Sequence, residues 1–455
     1  MKKIARRAKA AYLLLLAFLI GLGFFYFNLA INGGKWALSP YNRHIYTDGL
    51  LQNSGTIYDR DGEILAITQN NQRKYNSDVI IRKSLLHIIG DNSGHFSSIQ
   101  TNYDATLAGY TYMAGIYELA HHNAVPKMEL TVSAALNKKL YNAFGNKKGA
   151  VIAYNYKTGE IVATLSMPNY DPYNPPKDMN SESYDGIYVN RAFNGMYPPG
   201  STFKIVTALC ALENISDIQT RKFICEGKQK NADGGEIICN GKHGEITLQE
   251  GIKVSCNIVF ASLANELGAE KLRLTAESVG FNSGFSVGEI PCNGGYYDAK
   301  NATITDLGWS GVGQYTVLAS PINLMKLSGT IANGGNEMNP RLIKSIKNSL
   351  GIPTNLNIPM QKAKIKVEHS KALTAMMKDA AAYSFGTELT NKYSLRAKTG
   401  TAEVEKGEPH SWVTGFLEDS KHPYAFAIII ENGGSAANST RYILNTLLKG
   451  LIEIK

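Results

Sequence analysis

Apolar and polar positions divide the chain into three regimes. The first is "AAYLLLLAFLIGLGFFYFNLAI", 22 residues from Ala10 to Ile31 without a charge. As a helix rising 1.5 Å per residue it covers about 33 Å, enough for a hydrocarbon core of roughly 30 Å. The second regime begins with two short strand-like runs, "GTIYD" and "EILAIT", on either side of Asp59-Arg60-Asp61-Gly62. Asp-Gly between such runs is a strong hairpin signal. Residues 67–145 are mixed, with Gly, Asn and Ser clusters and one helical period in "VSAALNKKLYNAF".

The third regime opens at "GAVIAYNYKTGEIVATLSMPNYDPYNPP", where apolar runs flank Asn155 to Gly159 and a proline-bearing loop follows. Helix-like segments come next: "STFKIVTALCALE", "TLQEGIKVSC", "CNIVFASLANELG", "AEKLRLTAESVGF" and "ASPINLMKLSGTIANGG". The chain then returns to strands in "SLRAKTGTAE", "HSWVTGFL" and "YAFAIIIEN", and closes with the amphipathic "STRYILNTLLKGLIEI". Strands, helices, three strands and a helix predict an α+β domain with helices packed on an antiparallel sheet. At 455 residues the chain is too long for one compact core. The expected division is a tail over 1–9, a transmembrane anchor over 10–31, a small irregular β-rich pedestal over 32–145 and a larger domain over 146–455. No internal repeat is visible.

Charge refines the first regime. The net charge is +9, but Lys2, Lys3, Arg6, Arg7 and Lys9 carry five of those positives ahead of the apolar run. The remainder is close to balanced, which argues against nucleic acid as a partner. Basic residues before the apolar run predict a cytoplasmic N-terminus and an exported bulk. A cleaved signal peptide is the competing reading, but its apolar region would span only about 7–15 residues and end in a small-residue cleavage site. A retained anchor fits better.

Five cysteines, Cys210, Cys225, Cys239, Cys256 and Cys292, belong to a chain bound for an oxidising or variable compartment. Cys225 and Cys239 flank a Gly/Lys-rich loop and are candidates to pair across a hairpin; the odd total leaves at least one thiol free. No C-x-x-C spacing exists, and His121 and His122 are adjacent instead of i, i+4. The linear spacing therefore argues against a zinc site.

Three motifs carry chemistry. In "YPPGSTFKIVTAL", Pro198, Pro199 and Gly200 break any preceding structure and place Ser201 at the entrance of a helix. Ser201 and Lys204 are i, i+3 and share a face. A serine hydroxyl needs a base to become a nucleophile, and lysine serves only if burial or neighbouring cations lower its pKa. The alternative is an N-capping serine with an exposed lysine. In "VSCNIVF", Ser255 is placed to relay a proton and Asn257 to hold a substrate amide; a helix cap is the plainer reading. In "AKTGTAE", Lys398 supplies positive charge, Thr399 and Thr401 offer hydroxyls to a carboxylate, and Gly400 leaves room for a substrate backbone. Backbone N–H groups of Ser201 and Thr401 are candidates for an oxyanion hole.

Each motif alone is weak, and a second Lys-Thr-Gly stands at Lys157-Thr158-Gly159. Order separates the two triplets. The first precedes Ser201, lacks a second threonine and joins two apolar strands, so it reads as a turn. The later one follows S-x-x-K and S-x-N in the order that marks penicillin-binding proteins and class A β-lactamases.

The likeness extends further. "GTIYDRDGEILA", "GAVIAYNYKTGEIVATLSMPNYDPYNPP", "RAFNGMYPPGSTFKIVTAL", "HGEITLQEGIKVSCNIVFASLANELG" and "GVGQYTVLASPINLMKLSGTIANGG" all resemble class B penicillin-binding proteins. The resemblance covers roughly residues 50–450, and the short N-terminal region is most similar to the small penicillin-binding protein A-like members. It implies a serine penicillin-recognising fold, with an antiparallel sheet flanked by helices and an all-helical part. It implies a peptidoglycan D,D-transpeptidase acting on D-Ala–D-Ala stem peptides and an amine acceptor, inhibited by β-lactams, without a cofactor. Ser201 becomes the acylated nucleophile, Lys204 its base and Ser255 the proton shuttle. Asn257 binds the stem-peptide amide, while Lys398, Thr399, Gly400 and Thr401 hold the terminal carboxylate. A membrane glycosyltransferase of the shape, elongation, division and sporulation family is the implied partner, met through the anchor and pedestal. Ser54, Tyr315 and Ala397 depart from common family residues without removing a catalytic group. Two alternatives remain at this stage. One is a D,D-carboxypeptidase or β-lactamase-type hydrolase, although no E-x-x-L-N lies between the second and third motifs. The other is a non-catalytic wall-synthesis scaffold.

Overall fold

The computed structural model describes residues 2–39, 41, 46–47, 50–51, 54–70, 72–110, 125–348, 351, 353–354 and 360–454. His121 and His122 lie outside the described residues, as does part of the segment between Ser39 and Ser54.

The apolar run forms part of one helix, Lys2–Ala37, long and apolar enough to cross a membrane. It outreaches the expected 10–31 at both ends, because Lys, Arg and Ala before the run are good helix formers. No proline interrupts it before Pro40. Its last turns bring Gly33 against Tyr110 and Gly34 against Ala105.

The larger block is built on a five-stranded antiparallel sheet. Its strands run in the order Leu395–Ala402, His410–Leu417, Tyr424–Ile430, Gly149–Asn155 and Ile161–Met167. Alternation along the strands explains the two-sided core, since successive side chains face opposite ways. Val151, Ala153, Val413, Phe426 and Ile428 share one apolar cluster with Leu140 and Phe144 of helix Ala134–Phe144 and Leu444 and Leu447 of helix Ala436–Glu453. Their neighbours Ala150, Ile152, Trp412, Ala425 and Ala427 face the other layer. That layer contains helix Pro321–Ala332, capped by Ser320 and begun by a proline at its first turn, and helix Lys204–Asn214. Both faces are therefore covered, and the central strands read as near-continuous apolar runs.

The expected segments "CNIVFASLANELG" and "AEKLRLTAESVGF" together cover Asn257–Ser278, broken at Gly268, whose φ is 80° and ψ 159°. A helix not singled out from the sequence, Val367–Phe385, packs against strand Leu395–Ala402. It was hidden by its weak polar-apolar contrast.

The expected hairpin forms from Thr56–Tyr58 and Ile64–Gln69. Asp59 shapes it: Oδ1 accepts the N–H groups of Asp61 and Glu63 at 2.8 Å each, and Oδ2 accepts that of Ala134 at 3.0 Å. The pedestal sheet has five strands, and its edge strand Ile343–Lys347 comes from far along the chain. That strand pairs antiparallel with Lys127–Leu130, which lies parallel to Thr56–Tyr58. Thr131 N–H donates to Leu342 O at 2.8 Å and its hydroxyl to Ile161 O at 2.7 Å, joining the pedestal to the central sheet.

Candidate active site

Ser201 lies in a 3₁₀ turn, Gly200–Thr202, that leads into helix Lys204–Asn214. The segment before it is held on three sides. Tyr197 exchanges backbone hydrogen bonds with Ala319 at 3.1 and 2.8 Å, Gly200 N–H donates to Gly313 O at 2.9 Å, and Trp412 Nε1 donates to Pro198 O at 3.0 Å. Gly200 has φ +51°, and a Cβ there would lie 2.5 Å from Thr401 O. A Cβ on Gly400 would lie 2.7 Å from Pro199 O. Both glycines are needed because the turn and the strand meet backbone to backbone. This contact brings Ser201 to the K-T-G-T strand.

No side-chain cap bond opens either helix, so the capping readings of Ser201 and Ser255 do not hold. Cys256 occupies the N-cap position of Asn257–Ser278, and Ser255 before it has φ 59°. A left-handed serine is an uncommon, strained conformation, of the kind found where a side chain is aimed for function.

Lys204 is fully buried instead of exposed. Its Nζ donates to Ser255 O at 2.6 Å and to Asn257 Oδ1 at 2.7 Å, and lies 3.3 Å from Ser255 Oγ. Asn257 is oriented by its own Nδ2, which donates to Ile238 O at 2.8 Å. Lys398 Nζ donates to Ser255 Oγ at 2.9 Å and to Thr399 O at 2.9 Å. Two buried lysines thus meet one serine hydroxyl. Burial pushes the Lys204 amine down to about 7. Burial, and then the charge of Lys204, hold Lys398 well below the usual lysine range.

Thr399 is half-buried, Gly400 buried and Thr401 exposed, on an edge strand of the sheet. Ser384, which the sequence did not single out, places its hydroxyl 3.2 Å from that of Thr399. The earlier triplet is elsewhere. Asn155 Oδ1 accepts the N–H groups of Lys157 and Thr158 at 2.8 and 3.0 Å, a side-chain-closed turn, and Lys157 Nζ donates to Asn333 Oδ1 at 2.7 Å.

The cysteines depart from the sequence reading. All five are free, so Cys225 and Cys239 are not bonded to each other. Instead Cys225, Cys239 and Cys256 converge with His243, their ligand atoms all within 4.8 Å of one another. The spacing C-x13-C-x3-H-x12-C held the only linear signal, the short C-x3-H.

A buried lysine pair thus meets one serine hydroxyl, with Lys204 one turn on from the helix-entrance Ser201 and Lys398 on the K-T-G-T edge strand. Residues 149–449 match the penicillin binding protein transpeptidase domain. The chain belongs to that family. Peptidoglycan D,D-transpeptidase PbpA of Mycobacterium tuberculosis is 29% identical over 332 residues, covering 65% of this chain and 64% of that relative. The chain thus matches just under two thirds of that relative's length. The crystal structure of PBPA from M. tuberculosis superposes with a TM-score of 0.77 at 23% identity, covering 87% of this chain and all of the other. The penicillin G acyl-enzyme complex of that protein gives 0.75 at 23% identity, with 87% of this chain covered and 100% of that chain. At such identities the structural likeness speaks to the fold.

Proposed function

We propose that the chain is a peptidoglycan D,D-transpeptidase that cross-links stem peptides through a Ser201 acyl-enzyme and is inactivated by β-lactams. The observation that carries this reading is the meeting of Lys398 and of Lys204, one helical turn on from Ser201, at Ser255 Oγ. The naming of the mycobacterial relatives as peptidoglycan D,D-transpeptidases supports it.

In the proposed reaction neutral Lys204 takes the Ser201 proton as Oγ attacks the carbonyl carbon of the penultimate D-alanine. The N–H groups of Ser201 and Thr401 receive the oxyanion. Ser255 Oγ passes the proton to the departing amine, the C–N bond breaks and D-alanine leaves. An amine of a neighbouring stem peptide then attacks the ester, and the proton path runs in reverse. Asn257 holds the donor amide; Lys398, Thr399 and Thr401 hold its terminal carboxylate at the open strand edge. Helix Lys2–Ala37 anchors the enzyme with its basic end in the cytoplasm. The pedestal and anchor face a membrane glycosyltransferase.

Incubation of the full-length protein with a labelled penicillin tests the reading. A stable adduct on Ser201, absent in Ser201→Ala, is expected. Equal labelling of that variant would overturn the assignment, and rapid release of hydrolysed label would move the chain to the hydrolases.

A further inference from the structure

The polypeptide around Cys225, Cys239, His243 and Cys256 is built as a four-cornered clasp. Cys225 ends strand Lys222–Cys225, which pairs with Gly244–Thr247. Cys239 follows strand Glu236–Ile238, which pairs with Lys228–Lys230. His243 lies in the connection between the two ladders, where its N–H donates to Cys225 O at 3.1 Å. Cys256 joins them from the start of the long helix. Cys225 and Cys256 are fully buried and Cys239 nearly so.

Three of the six edges have the lengths of a zinc tetrahedron, and all four ligand atoms lie within 4.8 Å of one another. Cys225 Sγ lies 3.4 Å and Cys239 Sγ 3.6 Å from His243 Nδ1, and Cys239 Sγ lies 3.8 Å from Cys256 Sγ. Zinc–sulfur and zinc–nitrogen bonds of about 2.3 and 2.0–2.1 Å at tetrahedral angles require edges of about 3.5 Å for S···N and about 3.8 Å for S···S. A disulfide requires sulfurs about 2.05 Å apart, and the Cys239–Cys256 separation is far from that. The surrounding structure also calls for a cross-link: a two-stranded ladder is marginal by itself, and this region has two of them.

We propose that these four residues form a closed, structural zinc site, with three thiolates and the neutral His243 imidazole as ligands. On binding, three sulfur–zinc bonds and one nitrogen–zinc bond form, and the three thiol protons pass to solvent. Asn257 N–H, 3.3 Å from Cys239 Sγ, serves as an outer hydrogen bond to that thiolate. The site clamps the active-site edge, because Cys256 lies between Ser255 and Asn257. Ile238, which holds the Asn257 amide, precedes Cys239. The metal therefore sets the position of both residues that Lys204 touches without contacting substrate.

Elemental analysis of full-length protein, purified without a histidine tag, tests the site independently of the transpeptidase reading. One zinc per chain is expected, lost in Cys225→Ser and in His243→Ala and kept in Cys210→Ser and Cys292→Ser. Should the ligand variants fail to fold, stripping the wild type with a strong chelator gives the same information. Cys225, Cys239 and Cys256 then become open to alkylation, and penicillin labelling slows by about tenfold or more. Cobalt added back gives the visible absorption of a tetrahedral thiolate site. Folded, penicillin-reactive wild type without stoichiometric metal would overturn the proposal. So would stoichiometric iron in place of zinc, a Cys239–Cys256 disulfide in the intact protein, or a ligand variant that keeps its zinc.

Discussion

Lys204 meets two carbonyl oxygens, Ser255 O and Asn257 Oδ1, and a neutral amine has two N–H groups to give them. Its lone pair is then left for a hydroxyl proton, which is the state a general base requires. The sign of the pH dependence follows. With Lys204 held down to about 7, the base is protonated and idle below that pH and free above it. The rate of Ser201 acylation should rise through about pH 7 and level off beyond, as read by stopped-time labelling across a pH series. Lys204→Arg keeps the charge but cannot deprotonate, so it should lose at least about 10² in rate, and Lys204→Ala should lose as much. The two triplets give a second comparison. Lys157→Ala should leave labelling nearly intact, since Lys157 reaches Asn333 and the Tyr156 ring, whereas Lys398→Ala should cost about 10² or more. At this scale the motif residues were legible because their types and order are tied to chemistry. Ser384 and the Cys/His cluster were not, because residues far apart in sequence meet there only after folding.

Elements explain why the serine turn stays still. Arg191, 6% exposed, is paired with Glu431 at 2.7 Å, and Tyr197 donates to the same carboxylate oxygen at 2.7 Å. This bond ties the approach to Ser201 to the end of strand Tyr424–Ile430. Glu431→Ala leaves a buried guanidinium without its counter-charge and should cost roughly 3 kcal/mol, measurable as a fall in denaturation midpoint. Tyr197 loses its partner as well, so labelling should slow together with the loss of stability. The strands and amphipathic helices around this brace were readable because their apolar periods are long and clear. Strand Ile343–Lys347 was not: its partner, Lys127–Leu130, is contributed by a distant stretch, and no local pattern announces a pairing across the chain.

Taken whole, pedestal and central sheet are one fabric. Beyond the shared strand, Arg82 pairs with Asp171 at 2.6 Å, and Glu160 meets Arg341 at 2.6 Å and Arg60 at 3.8 Å. The part of the chain outside helix Lys2–Ala37 should therefore unfold in a single step. In a Trp36→Phe variant, denaturant curves followed by the fluorescence of Trp309 and Trp412 and by a dye placed at Tyr58 should coincide; separate midpoints would show two independent units. The same strand has a consequence in time. A ribosome delivers the pedestal residues 54–110 and 125–130 long before residues 343–347, and domains otherwise fold as they emerge. Until that late segment arrives, strand Lys127–Leu130 keeps an unpaired edge, open to pairing with other chains. The five-stranded sheet is thus completed only after most of the larger block has left the ribosome.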